Sequence, residues 1–336
     1  RQIGGNSINI FKAVDWSKIK RVKGECPAEK QGVYASLEEL IKLQFQSRDF
    51  SFLPSQPVSS ILAGRYASRL RGRGLNFEEL RKYQSGDDVR TIDWKVTART
   101  RSPYVRVYTE EKDRAVLVVC DQRLNMFWGT RERLKSVTAA QATALAAWRA
   151  TAVGDRIGAV IFNDEEVIEH RPQRSQKSVM NVLNSVVRMN QKLKVDSKVE
   201  PNPSMLNEAL KKALTLATHD MLVIIVSDFF GVDKTTEKLT AKLSQHNDVL
   251  GILVTDPVRE SPQAQKVTAS DGRLQMEIPF DRKSVRDKVV GSYREERDGI
   301  AHFMRKLSAP LLTLSNQGDV VDQIRELLGV PSRLKK

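Results

Sequence analysis

Short, unbroken apolar runs set the rhythm of the chain from residue 115 onward. Residues 115–120 and 221–226 are such runs, and the strands read at 155–162 and 248–254 carry theirs after an opening Asp155-Arg156 and Asp248. Runs of this length without an internal polar position predict strands buried on both faces. Between them, apolar residues recur at helical spacing over 131–151, 175–190, 204–218 and 234–244. In 204–218, Leu206, Ala209, Leu210, Ala213, Leu214 and Ala217 fall on one side. Residues 166–170 read as an antiparallel strand, 311–314 as a last strand and 320–328 as a closing helix. Strands alternating with helices predict an α/β fold: a doubly wound, mostly parallel sheet with helices on both faces, spanning 114–330.

Residues 257–285 break the rhythm. Asp271-Gly272 is a two-residue turn signal between 267–270 and 274–278, so a β-ribbon insertion is expected there. Ahead of the sheet the pattern is weaker. Residues 1–60 form an N-terminal segment whose first 35 residues show little periodicity. Ser36 opens a helix with Glu39 three positions on, and Leu37, Leu40 and Ile41 give it an apolar face. Pro54 and Pro57 mark 51–60 as a linker. Residues 61–113 are rich in Arg and Gly, then in Asp and Arg, and show no long buried strand.

Of 336 residues, 40% are apolar and 29% charged, an ordinary balance that allows a sizeable core. The formal charge of +14 favours acidic partners, whether nucleic acid, anionic membrane or protein, or serves solubility alone. Residues 65–73 are the densest basic stretch, with Tyr66 inside it. Binding of RNA there competes with simple pairing to Glu78, Glu79, Asp87 and Asp88. Cys26 sits among polar residues. Cys120 ends an apolar run as a small buried hydrophobe, and no CxxC pair signals zinc or redox chemistry. Residues 8–14 are too short and polar for a signal-peptide core, and no run approaches a membrane span, so a cytoplasmic location is expected. There is no P-loop, dinucleotide fingerprint or nucleophile elbow, and His170, His219, His246 and His302 share no ligand spacing. No catalytic residue, cofactor or small-molecule substrate is expected.

Open α/β sheets place their sites beyond the carboxyl ends of the strands. Asp121 and Asp228 each follow a buried run, and two carboxylates there suit Mg²⁺. In this region the chain resembles the von Willebrand factor A domain. The metal site of that family combines an Asp-x-Ser-x-Ser turn, a later Thr-x-Leu-x-x-Ala-Leu loop and a final Asp. Asp121 takes the first place, residues 204–210 match the loop with Ser204 in the Thr position, and Asp228 takes the last. The turn serines are replaced by Arg123 and Asn125. Asn125 still offers an oxygen, but Arg123 has no acceptor. The resemblance therefore implies a degenerate site of Asp121, Asn125, Ser204 and Asp228. In it, the Arg123 guanidinium lies between the two aspartates in place of a metal.

A second resemblance covers the stretch before the sheet. Gly64-Arg65-Tyr66, Gly72-Arg73-Gly74, Phe77 to Tyr83, Gly86-Asp87-Asp88-Val89-Arg90, Ile92-Asp93-Trp94, Thr97-Ala98-Arg99 and Val105-Arg106 follow in order. This succession resembles the bacterial family called domain of unknown function fifty-eight, which carries it just before a von Willebrand A-like domain. The resemblance implies a non-enzymatic adaptor or scaffold. Its partners would be a MoxR-type AAA+ ATPase and other von Willebrand A-domain proteins of the same gene cluster. Its work would be complex assembly, stress or envelope functions, with membrane association only through partners. Two other readings compete: a basic nucleic-acid or anionic-surface binder, and a metal-dependent hydrolase. Within the motif, a salt-bridged turn is expected. Asp87 would cap a short helix, Asp88 and Asp93 would lie close to Arg90 and Arg99, and Trp94 would pack on the main domain.

Overall fold

The computed structural model describes residues 32–47, 52, 75–110, 115–194, 199–262, 266–270 and 275–329. The chain divides into two compact units, Leu62–Asp113 and the remainder. In the larger unit, helix α1 (Leu37–Lys42) starts as expected, with the Ser36 hydroxyl accepting the Glu39 N–H at 3.2 Å. Ala35, Leu40 and Phe52 are buried in the main core.

The smaller unit contains a hairpin that the sequence pattern did not reveal. Strands β1 (Leu75–Lys82) and β2 (Tyr104–Glu110) pair antiparallel, with a register shift between Phe77 and Glu79. Between them lie a short 3₁₀ turn, Val89–Thr91, and helix α2 (Trp94–Thr100). Charged residues interrupt both strands, as Glu78-Glu79 and Arg81-Lys82 in β1 and as Arg106 and Glu110 in β2, and hide them from a search for continuous apolar runs.

The larger unit carries a six-stranded sheet. Its strands are β3 (Ala115–Asp121), β4 (Arg156–Phe162), β5 (Val167–Gln173), β6 (Leu222–Ser227), β7 (Asp248–Thr255) and β10 (Leu311–Ser315). The order across the sheet is β10-β7-β6-β3-β4-β5, and only β5 runs antiparallel to its neighbour. The mostly parallel, doubly wound sheet expected from the sequence is therefore present. The strand pattern also follows its physical reason. Val116, Val118 and Cys120 enter one core, while Ala115, Leu117 and Val119 enter the other. Both faces of β3 are covered, so every position is apolar until Asp121.

Helices α3 (Lys135–Ala152), α4 (Gln176–Lys192) and α8 (Val320–Leu327) pack with α1 on the first face. Helices α5 (Met205–Leu216), α6 (Lys234–His246) and α7 (Lys283–Lys306) cover the second. The ribbon is also present, as β8 (Lys266–Ser270) paired antiparallel with β9 (Gln275–Pro279). Ser270 pairs with Gln275, so the connection has four residues instead of two, and Asp271-Gly272 lies outside the described residues. The sequence pattern missed α7 altogether. Of its 24 residues, only Val289, Tyr293, Phe303 and Met304 are buried, too sparse a stripe to stand out amid its charges.

Candidate functional site

The sheet order reverses between β3 and β6, because the chain builds outward from β3 in one direction and from β6 in the other. At such a switch point the two following loops diverge and leave a crevice. Asp121 ends β3, and Ser227-Asp228 end and follow β6.

Asp121 and Arg123 are both fully buried. Arg123 donates from Nε (3.0 Å to Oδ1) and from Nη2 (2.7 Å to Oδ2), so its fork closes on one carboxylate. Its backbone N–H donates to Oδ1 at 3.0 Å. The Ser227 hydroxyl donates to Oδ2 at 2.6 Å. The guanidinium carbon lies 5.4 Å from the Phe162 ring centre, and Nη1 donates to the Pro203 carbonyl at 3.3 Å. Bidentate, charge-assisted pairing of this kind is what allows an arginine to sit inside a protein.

Asp228 is held by a different cation. The Lys135 ammonium, on the first residue of α3, donates to Oδ2, and Asn125 Nδ2 donates to Oδ1 at 2.7 Å. The Phe230 N–H donates to Oδ1 at 3.0 Å. Burial alone would push this carboxyl up. The charges of Lys135 and then Arg123 outweigh it and hold the carboxyl well below the usual carboxylate range. Arg123 is thus an internal cation whose charge acts on both aspartates, but it pairs directly with Asp121 alone, and the direct partner of Asp228 is Lys135.

Two further carboxylates organise the loops. Asp164, after β4, accepts N–H bonds from Leu124 (2.6 Å) and Asn202 (2.7 Å), which ties three loops together. Burial pushes its carboxyl up, and those bonds only partly offset this. Asp256, after β7, is fully buried and accepts from Thr130 N–H and Oγ1 (both 2.8 Å), Val258 N–H (2.9 Å) and Asn316 Nδ2 (2.8 Å). Between Asp121 and Arg123, Gln122 accepts from Asn190 (2.9 Å), which in turn accepts the Ala35 N–H (2.7 Å). A buried hydrogen-bond chain therefore links the N-terminal segment to this turn.

Ser204 does not reach the carboxylates. It is exposed, and its hydroxyl bonds Asn202 at 2.6 Å. Its loop contributes the Pro203 carbonyl to Arg123 instead. Asn125 presents its amide nitrogen to Asp228, while its Oδ1 is buried without a partner among the described residues. Both oxygens of Asp121 and Asp228 accept from other donors, and two of those donors are cations. A divalent ion needs free, anionic oxygens, so this donor set does not fit one. Among the described residues no cluster of three His, Cys, Asp or Glu side chains is placed to hold a metal. Cys120 is fully buried, as expected, and burial pushes its thiol up to about 11.

Sequence spacing misses Lys135, because 93 positions separate it from Asp228. The sequence pattern also starts this helix at residue 131, which hides that Lys135 stands first in α3, against the positive end of the helix dipole, where a lysine needs a local anion.

In the smaller unit, Asp87 pairs with Arg81 at 2.6 Å and accepts the Gln84 N–H at 2.8 Å. The 3₁₀ turn is capped by Asp88, whose carboxylate accepts the Arg90 N–H at 3.0 Å, so the cap falls one residue later than expected. Asp93 caps α2 by accepting from the Lys95 and Val96 N–H groups (3.0 and 3.1 Å), and it pairs with Arg106 at 2.8 Å. These bonds hold the Asp87 and Asp93 carboxyls low: the Arg81 bond first for Asp87, the Val96 N–H first for Asp93. Arg90 and Arg99 make no ion pair among the described residues. Gly86 has φ +109° with open space around it, so glycine serves the turn's conformation. Trp94 is 70% exposed, against the expectation of packing. Arg65 and Tyr66 lie outside the described residues.

Among the described residues no helix is long and apolar enough to cross a membrane. The uncharacterized protein Rv1480 of Mycobacterium tuberculosis is 28% identical over 281 residues, covering 83% of this chain and 86% of that protein. The uncharacterized protein Mb1516 of Mycobacterium bovis matches equally. The crystal structure of the conserved hypothetical protein BatB from Bacteroides thetaiotaomicron aligns with a TM-score of 0.37 and 10% identity, over 64% of this chain and 97% of that one. The family Protein of unknown function DUF58 matches residues 79–299, well over half of the sequence, and this chain belongs to that family.

Proposed function

We propose that the chain is a non-enzymatic adaptor that works with a MoxR-type AAA+ ATPase in assembling or maturing protein complexes, in stress or envelope functions. One observation supports this above others. The carboxylates at the switch point, where this fold class places its chemistry, are spent on internal ion pairs with Arg123 and Lys135. An ion-paired network of this kind ties the surrounding loops into a fixed rim, which suits recognition better than turnover. The ATPase supplies ATP hydrolysis, and this chain recognises the ATPase or its client. Other von Willebrand A-domain proteins of the same cluster are further partners. The work takes place in the cytoplasm, or at the membrane through those partners.

The test is co-purification of the full chain with the MoxR-type ATPase encoded beside it, with and without ATP. Retention in at least one nucleotide state is the expected result, and no retention in either overturns the reading. The charge of +14 motivates a second reading as a nucleic-acid or anionic-surface binder. A gel shift across a salt series separates the two, because phosphate contacts weaken steeply as salt rises.

A further inference from the structure

We propose that the outward face of α2 is a docking surface for an acidic protein segment that carries an apolar anchor side chain. Trp94 and Ala98, and Lys95 and Arg99, are two pairs spaced i and i+4, so they lie along one side of the helix, and Arg101 caps its C-terminal end. All five are exposed. Trp94 at 70% and nearby Val89 at 59% are among the most exposed large apolar side chains described. An aromatic of this size left in water, with exposed cations on the same helix, matches the composition of protein-binding hot spots.

The charge selects the partner. Residues 80–106 hold seven Lys and Arg against three Asp. Arg81 and Arg106 are matched by Asp87 and Asp93. Arg90, Lys95, Arg99 and Arg101 make no ion pair among the described residues and are all exposed. Lys95 and Arg99 repel one another across one helical turn, and an acidic partner relieves that. Arg101 has φ +54°, in the left-handed region where a helix end normally carries glycine.

The surface is also rigidly mounted, so little order is lost on binding. Asp93 caps the helix and pairs with Arg106. The Asp93 N–H donates to the Tyr104 carbonyl at 2.8 Å, and the Tyr104 N–H donates to Thr97 Oγ1 at 3.1 Å. A protein fits this face better than nucleic acid, because single strands are bound by several aromatics in series and here there is one. It also fits better than a lipid surface, which needs a long apolar helical face.

The test is selection of binders to the full chain from a displayed library of random 16-residue peptides. A single-stranded RNA 20-mer and phosphatidylserine vesicles serve as parallel probes. Enrichment of acidic peptides with an aromatic or aliphatic residue is expected, with binding weakened at least tenfold in Trp94→Ala and in Lys95→Glu/Arg99→Glu. The melting temperature of Trp94→Ala should stay within a degree or two of the parent. Four outcomes overturn the proposal: no acidic enrichment, binding indifferent to these variants, tighter Trp94-dependent binding of the RNA or vesicles, or a melting temperature lowered by many degrees. None of these readouts involves the ATPase, so this inference and the proposed function fail separately.

Discussion

Cations lie close to aspartates and an aromatic ring in two regions of this chain, and the two regions use them in opposite ways. At the strand ends, Arg123 and Lys135 are buried and each is bound to a carboxylate, with Phe162 beside the guanidinium. On α2 and its C-cap, Lys95, Arg99 and Arg101 stand exposed on the same short helix as Trp94 and form no ion pair among the described residues. The difference is solvation. A charge taken out of water needs an opposite charge and hydrogen bonds, so each inner cation is tied to its own carboxylate and is structural. A charge left in water needs no partner, so the outer set remains available to another molecule. Equal composition thus yields a locked network in one place and an open surface in the other.

The largest expected effect breaks the inner set. Arg123→Ala leaves Asp121 buried without its cation and should cost about 3–5 kcal/mol in chemical denaturation. Asp121→Asn/Arg123→Met, which removes both charges, should recover much of that loss. A cost below about 1 kcal/mol for the single variant would mean the pair is not a structural lock.

Next is the Lys135–Asp228 pair, read through pH. The Asp228 carboxyl is depressed in the folded protein, so its contribution is fully present above the ordinary aspartate value near pH 4. That contribution is lost as pH falls through the lower folded value. Stability measured from pH 7 to pH 2 should therefore decline less steeply in Asp228→Asn than in the parent. Equal slopes would remove Asp228 from the set of strongly held carboxylates.

A third test uses Tyr293 on α7, whose hydroxyl donates to Glu260 at 3.0 Å. Burial, then Glu260, pushes its phenol up to about 12. From about pH 10 the unfolded chain ionises first, so stability should fall as pH rises toward 12. Tyr293→Phe should cost about 1 kcal/mol at neutral pH through the lost hydrogen bond. It should also flatten the limb above pH 10, leaving the earlier decline that the Cys120 thiol imposes. The smallest effect belongs to the outer set: Lys95→Ala/Arg99→Ala should change stability by no more than about 0.5 kcal/mol. A large loss there would erase the contrast between the two regions.

Much of the fold is legible in the sequence because the central sheet is covered on both sides. Complete burial of β3 and β6 demands unbroken apolar runs, and the first polar residue marks the strand end where Asp121 and Asp228 stand. Elements with partial burial are not legible in this way. Helix α7 buries four residues in 24, and the charged β1–β2 hairpin presents no run at all.

Read alone, the chain already discloses the central strands, the aspartates at their ends and Arg123 two positions after the first of them. Those features are local, fixed by burial pattern and by residues a few positions apart. The strand order with its switch point, the pairing of each cation with its carboxylate, the turning away of Ser204 and the exposure of Trp94 emerge only in the folded chain. Those outcomes depend on contacts between residues far apart in the chain, such as Lys135 with Asp228. The energy of a charge is set by what surrounds it, and that surrounding exists only once the chain has folded.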